Sequence, residues 1–312
     1  MTLRIAHGAM AAALKASAAN VITTLYDGTG SAQDIVTGVE AELDWIKLRD
    51  TTSGHRLFDR QRGAAYRLES NSTEKSTYVP DELTQFNDDG FSLGTDSNVN
   101  LSGGQFVVWS FPKKAGVFTS VRFVTDGNPT QTISHDLGAT VGAIIVKEGL
   151  NTSGSWPVYH KDIAGGDALY LNSANPVNVG SAKFSSVTGS SFTFSQSGLP
   201  AGTECIAYIF AHNPTKGIAC GSFTTDGSGN ASDEVIGFSP TWVLWKQDKV
   251  GTPWDMLDTA RGWADGTNDP LLAANSSSQE VSANQDYGGP NETGFSIKNL
   301  GLSSQYFYVA AV

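Results

Sequence analysis

Two segments of the chain place an acidic and a basic side chain close enough to act together. Each reads Asp-x-x-Arg-Gly, with Arg62 in the first copy and Arg261 in the second. An aspartate and an arginine at this spacing around a turn can form an ion pair and hydrogen-bond the backbone. The pattern predicts a charge-clamped turn. The alternative is an exposed loop in which Arg62 and Arg261 contact a ligand or a neighbouring subunit.

Three tryptophans stand next to this motif on polar segments. Trp156 and Trp254 occupy matching places before it, where the first copy has His55, and Trp263 follows Gly262. A tryptophan on a polar loop offers a flat apolar surface, and the faces of pyranose rings are apolar too. We therefore hypothesise that Trp156, Trp254 and Trp263 contact a host-surface glycan. The alternative is that they pack between modules or on a partner.

Metal binding finds little support in the sequence. The histidines form neither an i, i+4 pair nor a close cluster, so no zinc site is predicted. Asp226, Asn230, Asp233 and Glu234 offer oxygen ligands suited to calcium, but the matching turns elsewhere lack them. A hairpin loop is the favoured interpretation, and we expect neither a metal nor a cofactor.

Catalytic motifs are likewise missing from the sequence. It contains no Gly-x-Ser-x-Gly elbow, no phosphate-binding glycine loop and no zinc-protease motif. The region that matches the Asp-x-x-Arg-Gly turns in the middle of the chain, 159–163, departs from the motif. A pair of distant carboxylates for glycoside hydrolysis stays open. Because no polar constellation is repeated, we predict that the chain is not an enzyme.

The elements that carry these residues recur three times. Asp-Gly turns at Gly28, Gly127 and Gly227 are 99 and 100 residues apart, and an apolar strand ending in lysine follows each turn. Each copy continues with a Phe-Ser or Phe-Thr strand and closes with an aromatic strand. Four landmarks in one order at one spacing predict three copies of a module of about 100 residues. In the three copies the apolar strand ends at Lys47, Lys147 and Lys246. The Phe-Ser or Phe-Thr strand spans 90–93, 191–194 and 294–297, and the closing strand spans 105–111, 204–210 and 305–310.

The composition predicts the fold class. Charged residues make up 16% of the chain, and Ser, Thr, Asn and Gly are abundant, which favours turns and strands over surface helices. Short strands separated by turns predict an all-β protein of three tandem β-sandwich, jelly-roll-like modules, each with a modest core. Since the last closing strand reaches Val312, we expect no further C-terminal domain. The predicted parts are an N-terminal docking arm over 1–20 and modules over 21–113, 114–214 and 215–312.

Charge and cysteine content exclude several classes of partner. The net charge of −11 disfavours nucleic acid and anionic membrane surfaces. No apolar run approaches the roughly 18 residues of a membrane span. Cys205 and Cys220 are predicted to be buried thiols made in a reducing cytoplasm, with a single disulfide as the alternative.

The first module resembles modules of the tail-fibre-like virion proteins of marine tailed bacteriophages, and the later copies match less closely. The resemblance covers residues 20–312 and implies a component of the virion surface, made in the cytoplasm of the bacterial host. It supplies no catalytic residues. Larger tail fibres add an adaptor domain and a trimeric shaft, which this sequence lacks, so capsid decoration stays open. The segments that carry the resemblance are 45–50, 53–59, 62–63, 90–94, 98–100 and 107–111.

Together these observations predict a bacteriophage structural protein displayed on the particle, as a capsid decoration or knob or as a small tail-fibre-like appendage. The arm over 1–20 is expected to dock on capsid or tail proteins. The chain is expected to form homo-oligomers, with trimers as the favoured state, because repeated weak contacts give avidity. The alternatives are a receptor-binding fibre or tip that recognises a host glycan and, third, a glycan-active enzyme.

Overall fold

The computed structural model describes residues 19–266, 268–282 and 284–312. Most of the expected docking arm, residues 1–18, lies outside the described residues. Within them the chain is nearly all β, built from separate antiparallel sheets, so the predicted all-β sandwich fold is confirmed.

The first module alternates short strands with tight turns, and a single helical turn precedes its closing strand. Asp96 caps that turn through a side-chain oxygen that accepts from the Asn98 amide. In chain order the elements are β1 (Ile22–Asp27), β2 (Gln33–Val36), β3 (Ala41–Leu48), β4 (Arg56–Asp59), β5 (Tyr66–Arg67), β6 (Thr77–Tyr78), β7 (Leu83–Phe86), β8 (Gly90–Leu93), α1 (Ser97–Asn100) and β9 (Gln105–Pro112).

The second and third modules repeat the order of the strands that form the two sheets. The second contains β10 (Phe118–Val124), β11 (Thr130–Ser134), β12 (Val141–Lys147), β13 (Pro157–His160), the 3₁₀ turn η1 (Ala164–Gly166), β14 (Leu169–Tyr170), β15 (Phe184–Ser185), β16 (Ser191–Ser195), β17 (Glu204–Ala211) and the 3₁₀ turn η2 (Pro214–Lys216). The third contains β18 (Ile218–Thr224), β19 (Ala231–Val235), β20 (Trp242–Gln247), β21 (Trp254–Asp258), β22 (Pro270–Ala273), β23 (Val281–Ser282), β24 (Pro290–Asn291), β25 (Gly294–Ile297) and β26 (Gln305–Ala311).

Strand order is the same in all three modules. The larger sheet, here called the inner sheet, begins β1-β9-β3-β4, β10-β17-β12-β13 and β18-β26-β20-β21 in the three modules. The smaller, outer sheet is β2-β8-β7, β11-β16-β15 and β19-β25-β24. The first strand pairs with the last and the second with the last but one, the nested pairing of a jelly roll, whereas β4 returns beside β3 as a hairpin.

The central strands of the inner sheets, such as β3 and β9, are buried on both faces, and this determines how the modules assemble. Alternate residues of a strand point to opposite faces. In β9, Phe106 and Val108 face the outer sheet of their own module. Val107 and Trp109 instead join a core that also holds residues of the other two modules, including Tyr208 and Leu244. We expected a separate modest core in each module. The first and third modules have one, whereas the core of the second, including Phe192 and Phe194, is continuous with the core that all three share.

A glycine explains the Gly-Phe-Ser landmark of the first and third modules. A Cβ atom on Gly90 would lie 1.9 Å from the carbonyl oxygen of Ile35, and one on Gly294 would lie 1.6 Å from that of Glu234. The outer-sheet strands approach so closely at this point that no side chain fits between them. The motif therefore specifies strand contact rather than chemistry.

The modules close into a ring. The Gly154 amide of the second module donates to the Thr73 carbonyl of the first at 2.8 Å. The Gly251 amide of the third donates to Ala174 of the second at 2.9 Å, and the Ser53 amide of the first donates to Ser277 of the third at 2.9 Å. Each module thus meets both others along a seam, and the first and last modules are in contact.

Candidate functional site

The Asp-x-x-Arg-Gly turns are charge-clamped, as one of the two interpretations of the sequence predicted. The Arg62 amide donates to Asp59 Oδ1 at 2.9 Å and its Nε donates to Asp59 Oδ2 at 2.6 Å. Arg261 makes the same two bonds to Asp258 at 2.9 and 2.6 Å. Burial opposes the charge of Arg62, but the Asp59 carboxylate outweighs burial and raises the pKa of the guanidinium. Each turn is held by an internal, charge-assisted pair.

The same aspartates also bind the neighbouring module. Tyr208 donates its hydroxyl proton to Asp59 Oδ2 at 2.7 Å, and Trp109 Nε1 donates to Asp258 Oδ2 at 2.9 Å. The second module has His160 at this position, and its Nε2 lies 3.0 Å from the Tyr308 carbonyl oxygen of the third. One polar position therefore serves all three seams, with a different chemical partner in each.

A second repeated position crosses the seams beside it. Trp156 Nε1 donates to the Ser72 carbonyl of the first module at 2.8 Å, and Trp254 Nε1 donates to Tyr170 of the second at 2.9 Å. His55 completes the cycle, with its Nε2 3.0 Å from the Ala273 carbonyl oxygen of the third.

The tautomer of His55 follows from its two neighbours. Trp45 Nε1 lies 2.8 Å from His55 Nδ1, and an indole N–H can only donate. Nδ1 is therefore the acceptor, and Nε2 carries the proton that is donated to Ala273. Burial, together with the positive charge of Lys47, holds the pKa of His55 well below its usual value, so the ring is neutral at neutral pH.

The burial of these residues corrects the expectation that they lie on exposed loops. Trp156 is 0% exposed and Trp254 is 4% exposed, because each indole fills a seam. Trp263 is 1% exposed inside the third module, between Trp245 and Phe295. Arg62 and Arg261 are buried as well. Packing between modules, the alternative given for Trp156 and Trp254, describes their environment.

An accessible cluster lies at the mouth of the seam between the first and second modules. A cavity of about 220 Å³ is lined by Arg62, Tyr66 and Ser76 of the first module and by Arg122, Leu150 and Glu204 of the second. Arg62 Nη1 donates to the Tyr66 carbonyl at 2.7 Å and to Ser76 Oγ at 3.1 Å. Arg122 forms an ion pair with Glu204 at the rim, where both side chains are partly exposed.

Two exposed tyrosines stand beside this cavity. Tyr66 is 42% exposed and Tyr78 is 63% exposed, and their ring centroids are 5.4 Å apart on the paired strands β5 and β6. Sequence reasoning missed this cluster because Arg62 and Arg122 belong to different modules. The signal that was present is the pair of tyrosines on short polar strands.

A second, wider groove of about 510 Å³ lies at the seam between the second and third modules. Asp162 and Glu234 both line it, as do His212 and Tyr308. The Tyr308 hydroxyl donates to Glu234 Oε2 at 2.8 Å, and Lys161 pairs with Asp162 at 2.7 Å. Burial raises the pKa of Glu234, whereas Lys161 and His160 outweigh burial and lower the pKa of Asp162. Asp162 and Glu234 are the two carboxylates that line this groove.

Other candidate chemistry is not assembled. Among the described residues, no group of three or more His, Cys, Asp or Glu side chains is arranged to hold a metal ion. Cys205 and Cys220 are buried and carry no disulfide, and burial raises the pKa of the Cys205 thiol to about 11. No helix in the described part of the chain is long and apolar enough to cross a membrane.

The chain belongs to the family described as domain of unknown function DUF7483, whose model matches residues 17–310. The match runs through all three modules as one unit, in agreement with the core that they share. No curated protein and no solved structure matches the chain significantly.

Proposed function

We propose that this chain is a structural protein of a bacteriophage particle, displayed on the particle surface as a capsid decoration or a small tail-fibre-like appendage. The observation that carries the proposal is the use of the repeated polar positions. His55, Trp156 and Trp254 all bind main-chain oxygens of a neighbouring module, and Asp59 and Asp258 bind neighbouring side chains. The repeated positions thus join the three modules instead of forming an exposed polar site, which supports a structural role.

The start of the described chain supports docking through the arm. Asn20 donates from its backbone amide to the Val312 carbonyl at 2.5 Å and from its side chain to Gly217 at 2.8 Å, and Lys114 Nζ donates to its side-chain oxygen at 2.8 Å. The described chain therefore begins where both connections between modules meet. Lys113 and Lys216 are exposed in these connections, which contain no Asp or Glu over 112–117 and 212–217.

Immunogold labelling of purified phage particles tests the proposal directly. Antibodies raised against the chain should label intact particles, on the capsid if the protein is a decoration and at the tail if it is an appendage. Particles that carry no label, while the infected-cell lysate contains the protein, would refute a virion role.

A receptor-binding role is the second candidate, and the exposed Tyr66–Tyr78 pair beside the cavity lined by Arg62 and Arg122 favours it. Fluorescently labelled protein should bind host cells if the chain is an adhesin and empty capsids if it is a decoration. Binding to capsids alone would remove the adhesin role.

We also propose that the chain is not an enzyme. The test is incubation with host polysaccharide followed by a reducing-end assay. The expected result is no release of reducing ends. Release that disappears in Glu234→Gln would identify the groove between the second and third modules as an active site.

We also propose that the chain self-associates into trimers. One chain already places three equivalent modules in a ring, so a trimer would present nine modules. Light scattering that gives the 32.9 kDa monomer mass at high protein concentration would count against the trimer in solution.

A further inference from the structure

The seam between the third and first modules contains a partly buried carboxylate held by two arginines. Glu280 Oε2 accepts from Arg261 Nη1 at 3.0 Å and from Arg49 Nε at 3.0 Å, and its Oε1 accepts from Arg49 Nη2 at 2.6 Å. Burial alone would raise the pKa of Glu280, but Arg49 and Arg261 outweigh it and lower this pKa. The carboxylate is therefore ionised and bound between the modules.

The seam between the first and second modules has the same backbone geometry without that carboxylate. The Glu280 amide donates to the Arg49 carbonyl at 2.7 Å, and the Ser76 amide donates to the Leu150 carbonyl at 3.0 Å. Ser76 thus takes the place of Glu280, and Leu150 that of Arg49. Arg62 takes the place of Arg261, since both close the same clamped turn.

The cavity of about 220 Å³ lies at this position. A serine is too short to fill the space that the glutamate side chain occupies in the other seam. Arg62 Nη1 points to Ser76 Oγ at 3.1 Å, whereas the matching nitrogen of Arg261 bonds the Glu280 carboxylate. The pocket is smaller than the roughly 300 Å³ or more of sites for drug-sized ligands, so it suits a single small group.

We propose that this pocket binds the carboxylate of a uronic acid residue in an acidic host-surface glycan, an assignment that rests on the proposed display of the chain on a phage particle. The carboxylate takes the position that Glu280 occupies in the other seam. It replaces Ser76 Oγ as the acceptor of one Arg62 Nη1 proton, while the other proton stays with the Tyr66 carbonyl, and the Ser76 hydroxyl then donates to the carboxylate. A bond between a carboxylate and a guanidinium is charge-assisted and stronger than one between neutral groups.

The tyrosines supply the surface for the sugar ring. Tyr66 lines the pocket, and Tyr78 extends the exposed aromatic surface beside it. Rings with a polar tip bury an apolar face against a ligand and keep the hydroxyl in water. Glu204 also lines the pocket, but it is paired with Arg122, so it can accept from sugar hydroxyls while Arg122 offsets its charge. The pocket therefore distinguishes a uronate from a neutral hexose by the carboxylate and from a simple carboxylate by the ring.

The test is calorimetric titration of the full chain with three probes: the methyl glycoside of glucuronate, whose carboxylate is free, methyl glucoside and acetate. We expect the uronate to bind at least about tenfold more tightly than the glucoside, since one charge-assisted bond contributes that factor. We expect it to bind more tightly than acetate as well, because acetate has no ring to cover the tyrosines. Equal binding of acetate and uronate would reduce the pocket to a general anion site and overturn the sugar assignment. Equal binding of the neutral glycoside would overturn the role of the carboxylate.

Two variants locate the site. Ser76→Glu recreates the Glu280 arrangement inside the pocket and should abolish uronate binding. Tyr78→Ala removes exposed ring surface without touching a buried residue and should weaken uronate binding while leaving acetate unchanged. Uronate binding that survives both substitutions would place the ligand elsewhere and refute the proposal.

These results are separable from the particle location. Uronate binding by a chain that does not label particles would leave the pocket assignment standing and refute the virion role. Labelled particles with a chain that does not bind uronate would refute only the pocket assignment.

Discussion

The hydroxyl group of Tyr208, in the second module, donates to Asp59 Oδ2, in the first, at 2.7 Å. This hydrogen bond crosses the buried seam between the two modules. The same oxygen of Asp59 accepts from Arg62 Nε at 2.6 Å, so one carboxylate closes a turn and joins two modules. Burial, reinforced by the negative charge of Asp59, raises the pKa of Tyr208 well above its usual value, so the phenol stays protonated and remains a donor.

Tyr208→Phe should therefore destabilise the chain. The substitution keeps the ring but removes the donor to a buried carboxylate, which costs about 1–3 kcal/mol. Tyr159→Phe is the matched control, because Tyr159 is only half-buried and makes no side-chain hydrogen bond to another described residue; it should change stability by no more than about 0.5 kcal/mol. Urea denaturation measures both, and equal midpoints for the two variants would contradict a structural role for the bond.

Trp156→Phe should also destabilise the chain, without affecting glycan binding. It leaves the Ser72 carbonyl oxygen without the indole donor that lies 2.8 Å away. Trp263→Phe removes a similar volume from a buried site, but Trp263 Nε1 has no hydrogen-bond partner among the described residues. We expect the first variant to be less stable than the second by about 1 kcal/mol, the net contribution of a hydrogen bond. Loss of glycan binding in a folded Trp156→Phe variant would contradict this expectation and would support the earlier hypothesis that Trp156 contacts the glycan.

The buried carboxyl group of Asp44 should make the stability of the folded chain depend on pH. This carboxyl is fully buried, and burial raises its pKa to about 7, while its Oδ1 accepts from Ser110 Oγ at 2.5 Å. The folded pKa lies above the unfolded value of about 3.9, so the folded chain retains the proton over a range in which the unfolded chain has lost it. The contribution of Asp44 to stability is therefore complete below about pH 4 and is lost as the pH rises to 7.

Asp44→Asn should flatten this dependence. Wild type and variant are compared by urea denaturation at pH 5, 6, 7 and 8, so that the contributions of other titrating groups cancel. The difference in unfolding free energy between wild type and variant should move in favour of the variant as the pH rises from 5 to 7. A difference that stays constant over this range would show that Asp44 does not titrate there.

Glu280→Ala should destabilise the seam between the third and first modules. It leaves Arg49 without its carboxylate, whereas Arg261 keeps Asp258, and losing a partly buried bond to a charged group costs about 1–3 kcal/mol. Because the pKa of Glu280 is lowered, its contribution is present above the unfolded value of about 4.3 and is lost as the pH falls through the folded pKa. The destabilisation should therefore shrink in acid.

Formate provides a second measurement on Glu280→Ala. The small carboxylate should enter the space vacated by the side chain and raise the melting temperature of the variant more than that of the wild type, as a ligand that binds the folded state does. The wild type is the control, because it contains the pocket at Ser76 but has no vacated space at position 280. A formate effect of equal size in Glu280→Ala and the wild type would mean that the ion does not act at position 280.

The sequence by itself determined the local features of this protein. Alternating apolar residues and Asp-Gly turns specify strands and hairpins, because strand period and turn conformation depend on neighbouring residues. The clamp between Asp59 and Arg62 was predictable for the same reason, since its partners are three residues apart. The repeat spacing also indicated three similar modules, and the strand orders agree with one another.

The tertiary structure alone decided which of these residues are reachable. Tyr208 and Asp59 are 149 positions apart, as are Trp109 and Asp258, so no local pattern reveals that they meet. The burial of Trp156 and Trp254 was not predictable for the same reason, because the residues that cover them belong to another module. Their polar neighbours in the sequence indicated exposed loops. Burial depends on which module packs against which, and that is set by apolar surface that all three modules remove from water together. A side chain that is polar in its local context thus became part of a seam, whereas Tyr66 and Tyr78 stayed exposed because no module covers them.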